Sequence, residues 1–295
     1  MKSNNKYRHL FFDLDHTLWD FETNAKETLG ELYAINDLLT KGVNDFDLFF
    51  NRYSYHNERL WDRYTKGYIK QEELRWKRMW LALIDFKIGD EKLARIMAVQ
   101  FLERLPFKKN LFPYTIDILE YLKQKNYVMH LITNGFECVQ HNKLNSSNLS
   151  NYFVEVVTSE GSNSLKPNKE IFEFALQKSG ASVTESIMIG DNLEADIKGA
   201  KNAGFDTIFV NHLNIATEIK PTYIIHHLKE LEGIFQFLYP GFPAYSIASC
   251  VAHFRVRDIG QLLIAQSGPI VQVCDATTAQ QRSQSRAQKY FQITL

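Results

Sequence analysis

Two carboxylates stand close together where a short apolar run near the start of the chain ends. Residues 10–12 are apolar, Asp13 follows them, and Asp15 and Thr17 come next at intervals of two residues. Short apolar runs bounded by polar residues are typical of buried strands. Two carboxylates at one strand end repel each other unless a cation or a shared proton compensates their charge. The spacing therefore indicates a metal site and acid/base chemistry.

Two later apolar runs also end in polar groups. Residues 127–132 lead to Thr133, and residues 186–189 lead to Gly190 and then Asp191. The carboxyl ends of parallel strands lie along one edge of a sheet, where open α/β proteins bind their ligands. We therefore expect these groups to converge with Asp13 on one crevice.

Glycine and lysine residues beside these strand ends suit an anionic ligand. Gly135 and Gly190 let the backbone come close to a ligand, and a helix N-terminus after such a turn offers free N–H groups. Lys166 precedes Pro167, which ends any preceding helix, so we place Lys166 on a loop just before a helix. As a loop residue, Lys166 is expected to contribute little to the core.

The elements that must position these groups differ before and after residue 113. Residues 20–105 have apolar side chains at helical spacing and predict an inserted block of about four helices, because simple connections are only a few residues long. After residue 113, strands alternate with helices, which implies a mostly parallel sheet covered on both faces. The predicted strands are 127–132, 153–157, 186–189 and 207–210, the predicted helices are 114–124, 136–144, 168–179 and 193–203, and the alternation closes with 223–238.

The composition excludes several classes of protein. Lys+Arg and Asp+Glu both number 34, so the formal net charge is zero and a nucleic-acid polymer is not an expected partner. No apolar run is long enough to predict a membrane span, and the run that breaks at Asp13 is not a signal-peptide core. Three widely spaced cysteines predict neither a disulfide framework nor a zinc site and fit a reducing compartment. We expect a cytoplasmic protein without a membrane partner.

The end of the chain differs in composition from the rest. Residues 241–295 contain two Asp, no Glu and eight Gln, and the Pro-Gly-Phe-Pro stretch at 240–243 is a natural boundary. We predict a core formed by residues 1–18 and 106–240, a helical insertion at 19–105, and an atypical tail at 241–295. The tail is expected to be dispensable for folding and has the composition that a read-through or frameshifted product would also have.

The polar groups resemble, in order, the four motifs of the haloacid dehalogenase (HAD) superfamily of phosphatases. The motifs are Asp13-Leu14-Asp15-His16-Thr17; Thr133-Asn134-Gly135; Lys166-Pro167; and Gly190-Asp191-Asn192-Leu193-Glu194-Ala195-Asp196. The resemblance implies an α/β fold with a Rossmann-like, mostly parallel sheet core. It also implies that the helical insertion is a cap domain over the site.

By the same resemblance, the chain is expected to hydrolyse phosphate monoesters through an aspartyl-phosphate. Asp13 would be the nucleophile, which splits one difficult displacement into two easier ones. Asp15 would protonate the leaving oxygen and later activate water. Mg²⁺ would be held by the carboxylates of Asp13 and Asp191 and by the backbone carbonyl of Asp15, since Mg²⁺ prefers oxygen ligands.

The remaining motif residues would bind phosphate or support the site. Lys166, Thr133 and backbone N–H groups near Asn134 would hold the phosphoryl oxygens. Asp196 would support the metal site or orient Lys166. Thr17 suits either a supporting role in the site or a capping role.

Within the superfamily, the chain is most similar to the YjjG-like 5'-nucleotidases, which act on pyrimidine nucleoside monophosphates, including noncanonical ones. The similarity covers about residues 7–238 and is carried by segments 133–136, 166–172, 194–204 and 60–64. It implies a small-molecule nucleotide substrate and a role in nucleotide metabolism. In the insertion, Trp61 is a candidate for stacking on the base or shaping its pocket, although packing inside the cap is an alternative.

Rival functions come from several classes of protein. A haloacid dehalogenase needs the same nucleophile but has no use for Asp15, which argues against it. A sugar-phosphate phosphatase or a phosphomutase would share every motif and differ only in the cap. A non-catalytic interaction protein would not need unpaired carboxylates, which are costly to bury.

Overall fold

Six parallel strands form the centre of the computed structural model, which describes residues 6–236. The predictions for the tail therefore lie outside the described residues. The spatial order is β3-β2-β1-β4-β5-β6, and every neighbouring pair is parallel. The strands are β1 (His9–Phe12), β2 (Val128–Thr133), β3 (Phe153–Thr158), β4 (Ser186–Gly190), β5 (Asp206–Val210) and β6 (Tyr223–Ile225). The predicted Rossmann-like parallel sheet is confirmed.

The central strand β1 explains why the sheet is buried on both faces. Leu10 and Phe12 belong to one hydrophobic cluster and Phe11 to another, and all three are fully buried. Strands covered on both faces carry continuous apolar runs rather than alternating ones. The chain order reverses at β1, because β2 and β3 lie on one side and β4 to β6 on the other. Ligands bind beside such a reversal, outside the carboxyl ends of the strands.

Four α-helices lie between residues 20 and 105, as the sequence predicts. They are α1 (Phe21–Ile35), α2 (Phe46–Thr65), α3 (Gln71–Asp85) and α4 (Glu91–Arg104). Asp20, Asp45 and Asp90 cap α1, α2 and α4, and each accepts a hydrogen bond from the backbone N–H three residues later. Such caps satisfy N–H groups that the first helical turn leaves free. The inserted helical block is therefore confirmed, whereas the residue boundaries of the domains stay predictions.

The remaining α-helices follow residue 113, and all but α10 lie in connections between strands. They are α5 (Thr115–Gln124), α6 (Glu137–Ser146), α7 (Ser159–Ser162), α8 (Lys169–Ser179), α9 (Gly199–Asn202) and α10 (Leu231–Ile234), with 3-10 turns at Leu105–Phe107, Ser150–Tyr152, Val183–Glu185 and Leu228–Glu230. Within the part of the chain that the structure describes, the helices are too short or too polar to cross a membrane.

The predicted helix at 193–203 differs from a regular α-helix. Leu193–Lys198 is a π-helical turn that continues into α9. The carbonyl oxygen of Asn192 accepts hydrogen bonds from the N–H groups of both Asp196 (2.9 Å) and Ile197 (3.2 Å). The bond to Ile197 spans five residues, the spacing of a π-helix, and such turns occur frequently at functional sites.

Candidate active site

Asp13 and Lys166 form a buried ion pair at the carboxyl end of β1. Lys166 Nζ lies 2.5 Å from Asp13 Oδ1, 2.7 Å from Asp196 Oδ1 and 2.8 Å from the carbonyl oxygen of Ile132. Lys166 is 2% exposed and Asp13 is 7% exposed. Burial would lower the pKa of Lys166, but Asp13 and Asp196 outweigh it and raise that pKa. The ammonium ion is therefore retained although it is out of contact with water.

The expectation that Lys166 contributes little to the core is wrong, because the loop that carries it is tied to the end of β2. Asn134 Nδ2 donates to the carbonyl oxygen of Lys166 (2.8 Å), and the N–H of Lys166 donates back to Asn134 Oδ1 (2.7 Å). Behind the loop, a Cβ on Gly199 would lie 2.8 Å from Pro167 Cα. The loop thus packs against helix α9 and directs the lysine side chain inward.

Three carboxylates cluster beside this lysine, and two of them contact it. Asp13, Asp191 and Asp196 each bring one oxygen within 4.8 Å of the others. Asp191 Oδ1 accepts a hydrogen bond from Thr17 Oγ1 at 2.9 Å. Gly190 lacks the Cβ that would lie 2.3 Å from Asp196 Oδ2, so glycine at this position leaves Asp196 room beside β4.

The charges of this cluster do not balance within the described protein. Burial and the neighbouring Asp196 raise the pKa of Asp191 to about 7. Burial also raises the pKa of Asp13, although the ammonium of Lys166 opposes this shift. A divalent cation would relieve the repulsion, and Mg²⁺ binds through carboxylates and water in such sites. The donor set therefore fits Mg²⁺, and Asp13 and Asp191 would be its carboxylate ligands. Both oxygens of Asp196 are already engaged, Oδ1 by Lys166 Nζ and Oδ2 by the N–H of Asn192.

Asp15 faces a different set of partners. Its Oδ1 lies 2.6 Å from Lys143 Nζ, and its Oδ2 accepts a hydrogen bond from Gln140 Nε2 at 2.9 Å. Gln140 Nε2 also donates to Thr133 Oγ1 at 2.6 Å. Both α6 residues are buried, and burial lowers the pKa of Lys143 against the raising effect of Asp15.

Sequence reasoning did not identify Gln140 and Lys143. They lie three residues apart on α6, which has few apolar residues. Residues at this spacing share one face of a helix. The sequence offered only a weak signal, the position of α6 directly after the Thr133–Gly135 turn, because polar side chains on a helix are normally exposed to solvent.

The structure places Thr133 and Asn134 at the end of β2, as predicted. The hydroxyl oxygen of Thr133 accepts a hydrogen bond from the N–H of Gly135 at 3.1 Å. The side chain of Asn134 is engaged by the Lys166 loop, and its carbonyl oxygen accepts a hydrogen bond from Ser159 Oγ, so its backbone N–H is the group left for a ligand. The phosphate-binding roles of these residues stay predictions.

Trp61 lies on α2 and contacts the turn at the end of β2. Its ring stacks on Phe136, with centroids 5.7 Å apart and planes inclined by 26°. Arg75 of α3 also lies over Phe136, at 4.5 Å from the ring centroid. Phe136 occupies part of the surface of Trp61, so packing explains much of its position, and a contact with substrate stays a prediction.

The sheet order and the buried carboxylates define an α/β enzyme with carboxylate chemistry at a strand-end crevice. A family model described as haloacid dehalogenase-like hydrolase matches residues 7–204. The chain belongs to this family. The predictions of the superfamily and of a phosphoric monoester hydrolase are confirmed.

Individual relatives are similar over most of the chain. The pyrimidine 5'-nucleotidase PynA of Streptococcus pneumoniae is 33% identical over 228 residues, which cover 76% of this chain and 93% of PynA. The pyrimidine 5'-nucleotidase YjjG of Escherichia coli is 31% identical over 235 residues, which cover 78% and 98% of the two chains. A solved structure of the putative HAD-hydrolase YfnB of Bacillus subtilis, bound to magnesium, is 29% identical with a TM-score of 0.69 and covers 78% of this chain and 98% of YfnB.

Proposed function

We propose that this chain is a Mg²⁺-dependent phosphate monoester hydrolase that works through a phosphorylated Asp13, with pyrimidine nucleoside 5'-monophosphates as preferred substrates. The observation that carries the proposal is the placement of Asp13. This carboxylate lies at the end of the central strand, in contact with the buried ammonium of Lys166 and within a cluster of three carboxylates.

Each of these residues has a separate role in the first chemical step. An oxygen of Asp13 attacks phosphorus while the bond from phosphorus to the ester oxygen breaks. Asp15 gives its proton to that leaving oxygen. Lys166 keeps Asp13 in place and offers positive charge to the phosphoryl oxygens. Bound Mg²⁺ would keep Asp13 and Asp191 ionised and offset the charge of the phosphoryl group.

In the second step the roles of the carboxylates change. Asp15, now ionised, takes a proton from a water molecule while the oxygen of that water attacks phosphorus. The bond between phosphorus and the Asp13 oxygen breaks, which releases phosphate and restores the carboxylate. Asp13 is the nucleophile of the first step and water that of the second, and Asp15 transfers the proton in both.

The substrate preference has separate support. PynA and YjjG are pyrimidine 5'-nucleotidases by name, and the segments that match their group include the insertion around Trp61. A sugar-phosphate phosphatase or phosphomutase would use the same four motifs, so the catalytic residues do not discriminate between these functions. The discrimination must therefore come from the inserted helices.

A substrate panel tests the proposal. The full chain is assayed with pyrimidine and purine nucleoside 5'-monophosphates and with hexose and triose phosphates, in Mg²⁺ and in excess chelator. We expect the highest kcat/KM for pyrimidine nucleotides and no turnover in chelator. Higher kcat/KM for a sugar phosphate would reject the nucleotidase assignment, and full activity in chelator would reject the metal dependence.

Asp13→Asn tests the nucleophile. We expect no turnover, and in the wild type an acid quench during turnover should leave phosphate on the peptide that contains Asp13. Asp47→Asn is the matched control, because Asp47 is exposed and pairs only with Lys26 on the described surface. Turnover by Asp13→Asn at the level of this control would sink the mechanism.

A further inference from the structure

Helix α6 holds the carboxylate of Asp15 at both of its oxygens. Lys143 contacts Oδ1 at 2.6 Å and Gln140 contacts Oδ2 at 2.9 Å. The side chain of Lys143 is 3% exposed, whereas that of Asp15 is 23% exposed. Gln140 and Lys143 thus form a clamp on the two carboxylate oxygens of Asp15, whose side chain stays partly exposed.

The clamp is itself held in place by its surroundings. Gln140 Nε2 donates its second hydrogen to Thr133 Oγ1, and a Cβ on Gly135 would lie 2.4 Å from Gln140 Cδ. The ammonium of Lys143 lies over the ring of Trp19, 4.3 Å from its centroid. Each of the two side chains thus has a second contact that fixes its direction.

The chemistry of the two donors suits an acid that must give its proton away. An amide NH₂ group and an ammonium group donate hydrogen bonds and accept none. Each oxygen of Asp15 keeps one further lone-pair direction, so a proton on Asp15 has no acceptor in the clamp. A buried lysine is costly unless it is paired, and this one is paired with a side chain that is still partly exposed.

We propose that Gln140 and Lys143 are positioning residues that aim the carboxyl group of Asp15 at the oxygen of the departing alcohol. This inference rests on the proposed function. As the ester bond breaks, the O–H bond of Asp15 breaks and its proton passes to the leaving oxygen. In the second step the same oxygen of Asp15 takes a proton from water. Neither α6 residue touches substrate, and both act through Asp15.

The dependence of rate on the leaving group distinguishes this role from a structural one. A 5'-nucleotide releases an alkoxide, which needs a proton, whereas p-nitrophenyl phosphate releases a phenolate, which is stable without one. For Lys143→Met and Gln140→Leu, we expect kcat/KM to fall by about 10²-fold with the nucleotide, the usual worth of general acid catalysis. With the aryl ester the fall should be less than about tenfold, because that step needs little protonation.

Two comparisons complete the design. Lys26→Met makes the same change at an exposed lysine that pairs with Asp47 at 2.7 Å. It should leave kcat/KM unchanged with both esters. In the double variant of Asp15→Asn with Lys143→Met, kcat/KM for the nucleotide should equal that of Asp15→Asn alone, because the lysine acts through the missing acid. If Lys143→Met does not fold, Gln140→Leu provides the test, because it leaves the charge of the buried site unchanged.

Specific outcomes overturn the inference. Equal losses with both esters, unchanged activity with both, or multiplicative losses in the double variant would reject positioning and leave the proposed function intact. A wild-type chain that hydrolyses neither ester would reject the proposed function and, with it, this inference.

Discussion

Replacing Lys166 with methionine removes one positive charge from a buried cluster and keeps most of the side-chain volume. The variant loses three contacts, to Asp13, Asp196 and the Ile132 carbonyl. Removing one partner of a buried ion pair costs about 3–5 kcal/mol, because a charge is left without compensation. For a domain of this size, each kcal/mol shifts Tm by about 2–4 °C, so we expect Tm to fall by about 6–20 °C.

Thermal unfolding followed by circular dichroism in chelator measures this effect. Lys26→Met removes an exposed lysine from an ion pair and should cost at most about 1 kcal/mol. The double variant of Lys166→Met with Asp196→Asn should recover part of the loss, since it removes one of the uncompensated carboxylates. A Tm for Lys166→Met within experimental error of the control, or a double variant that is the plain sum of its parts, would refute the reasoning. Turnover of Lys166→Met in Mg²⁺ should fall by about 10²–10³-fold.

Three further predictions concern the metal site, the strand end and the cap. Burial beside Asp196 raises the pKa of Asp191 to about 7. Between about pH 4 and pH 7, Asp191 therefore carries a proton in the metal-free folded state and has lost it in the unfolded state. The free energy of unfolding should then fall as pH rises from about 4 to about 7. Mg²⁺ should accordingly raise Tm more at about pH 8 than at about pH 5.5, and equal shifts would contradict this. Gly190→Ala should lower kcat by about 10²-fold, because the new methyl group displaces Asp196. Circular dichroism should show that this variant is folded. A kcat equal to that of the wild type would show that Asp196 can move without loss of activity. Trp61→Ala should lower the ratio of kcat/KM for pyrimidine nucleotides over hexose phosphates, and a loss of Tm with an unchanged ratio would leave Trp61 a packing residue only.

The strands and their terminal groups could be predicted from sequence for a physical reason. A strand of a parallel sheet is buried on both faces and therefore forms a continuous apolar run, so the point where polarity returns marks its end. Asp13, Thr133 and Asp191 each stand at such a point. The four inserted helices were equally readable, because each buries one apolar face.

Long-range partners could not be read in the same way. A lysine on a loop or on a polar helix is normally solvated, so Lys166 and Lys143 carry no mark of burial in the sequence. Their positions depend on carboxylates 153 and 128 residues away, which only the folded sheet brings near. The packing of Trp61 on Phe136 depends in the same way on how the inserted helices meet the end of β2.

The π-helical turn Leu193–Lys198 makes this part of the chain sensitive to length. It contains six residues, and its wide ring accommodates one residue more than an α-helix would. Deleting the exposed Glu194 would let the segment adopt regular α-helical hydrogen bonds, and each residue removed rotates the rest of the helix by about 100°. Asp196 would then turn away from the Lys166 ammonium, while the helix itself became more regular. A shortened turn would thus gain regular α-helical hydrogen bonds and lose the contact between Asp196 and the Lys166 ammonium.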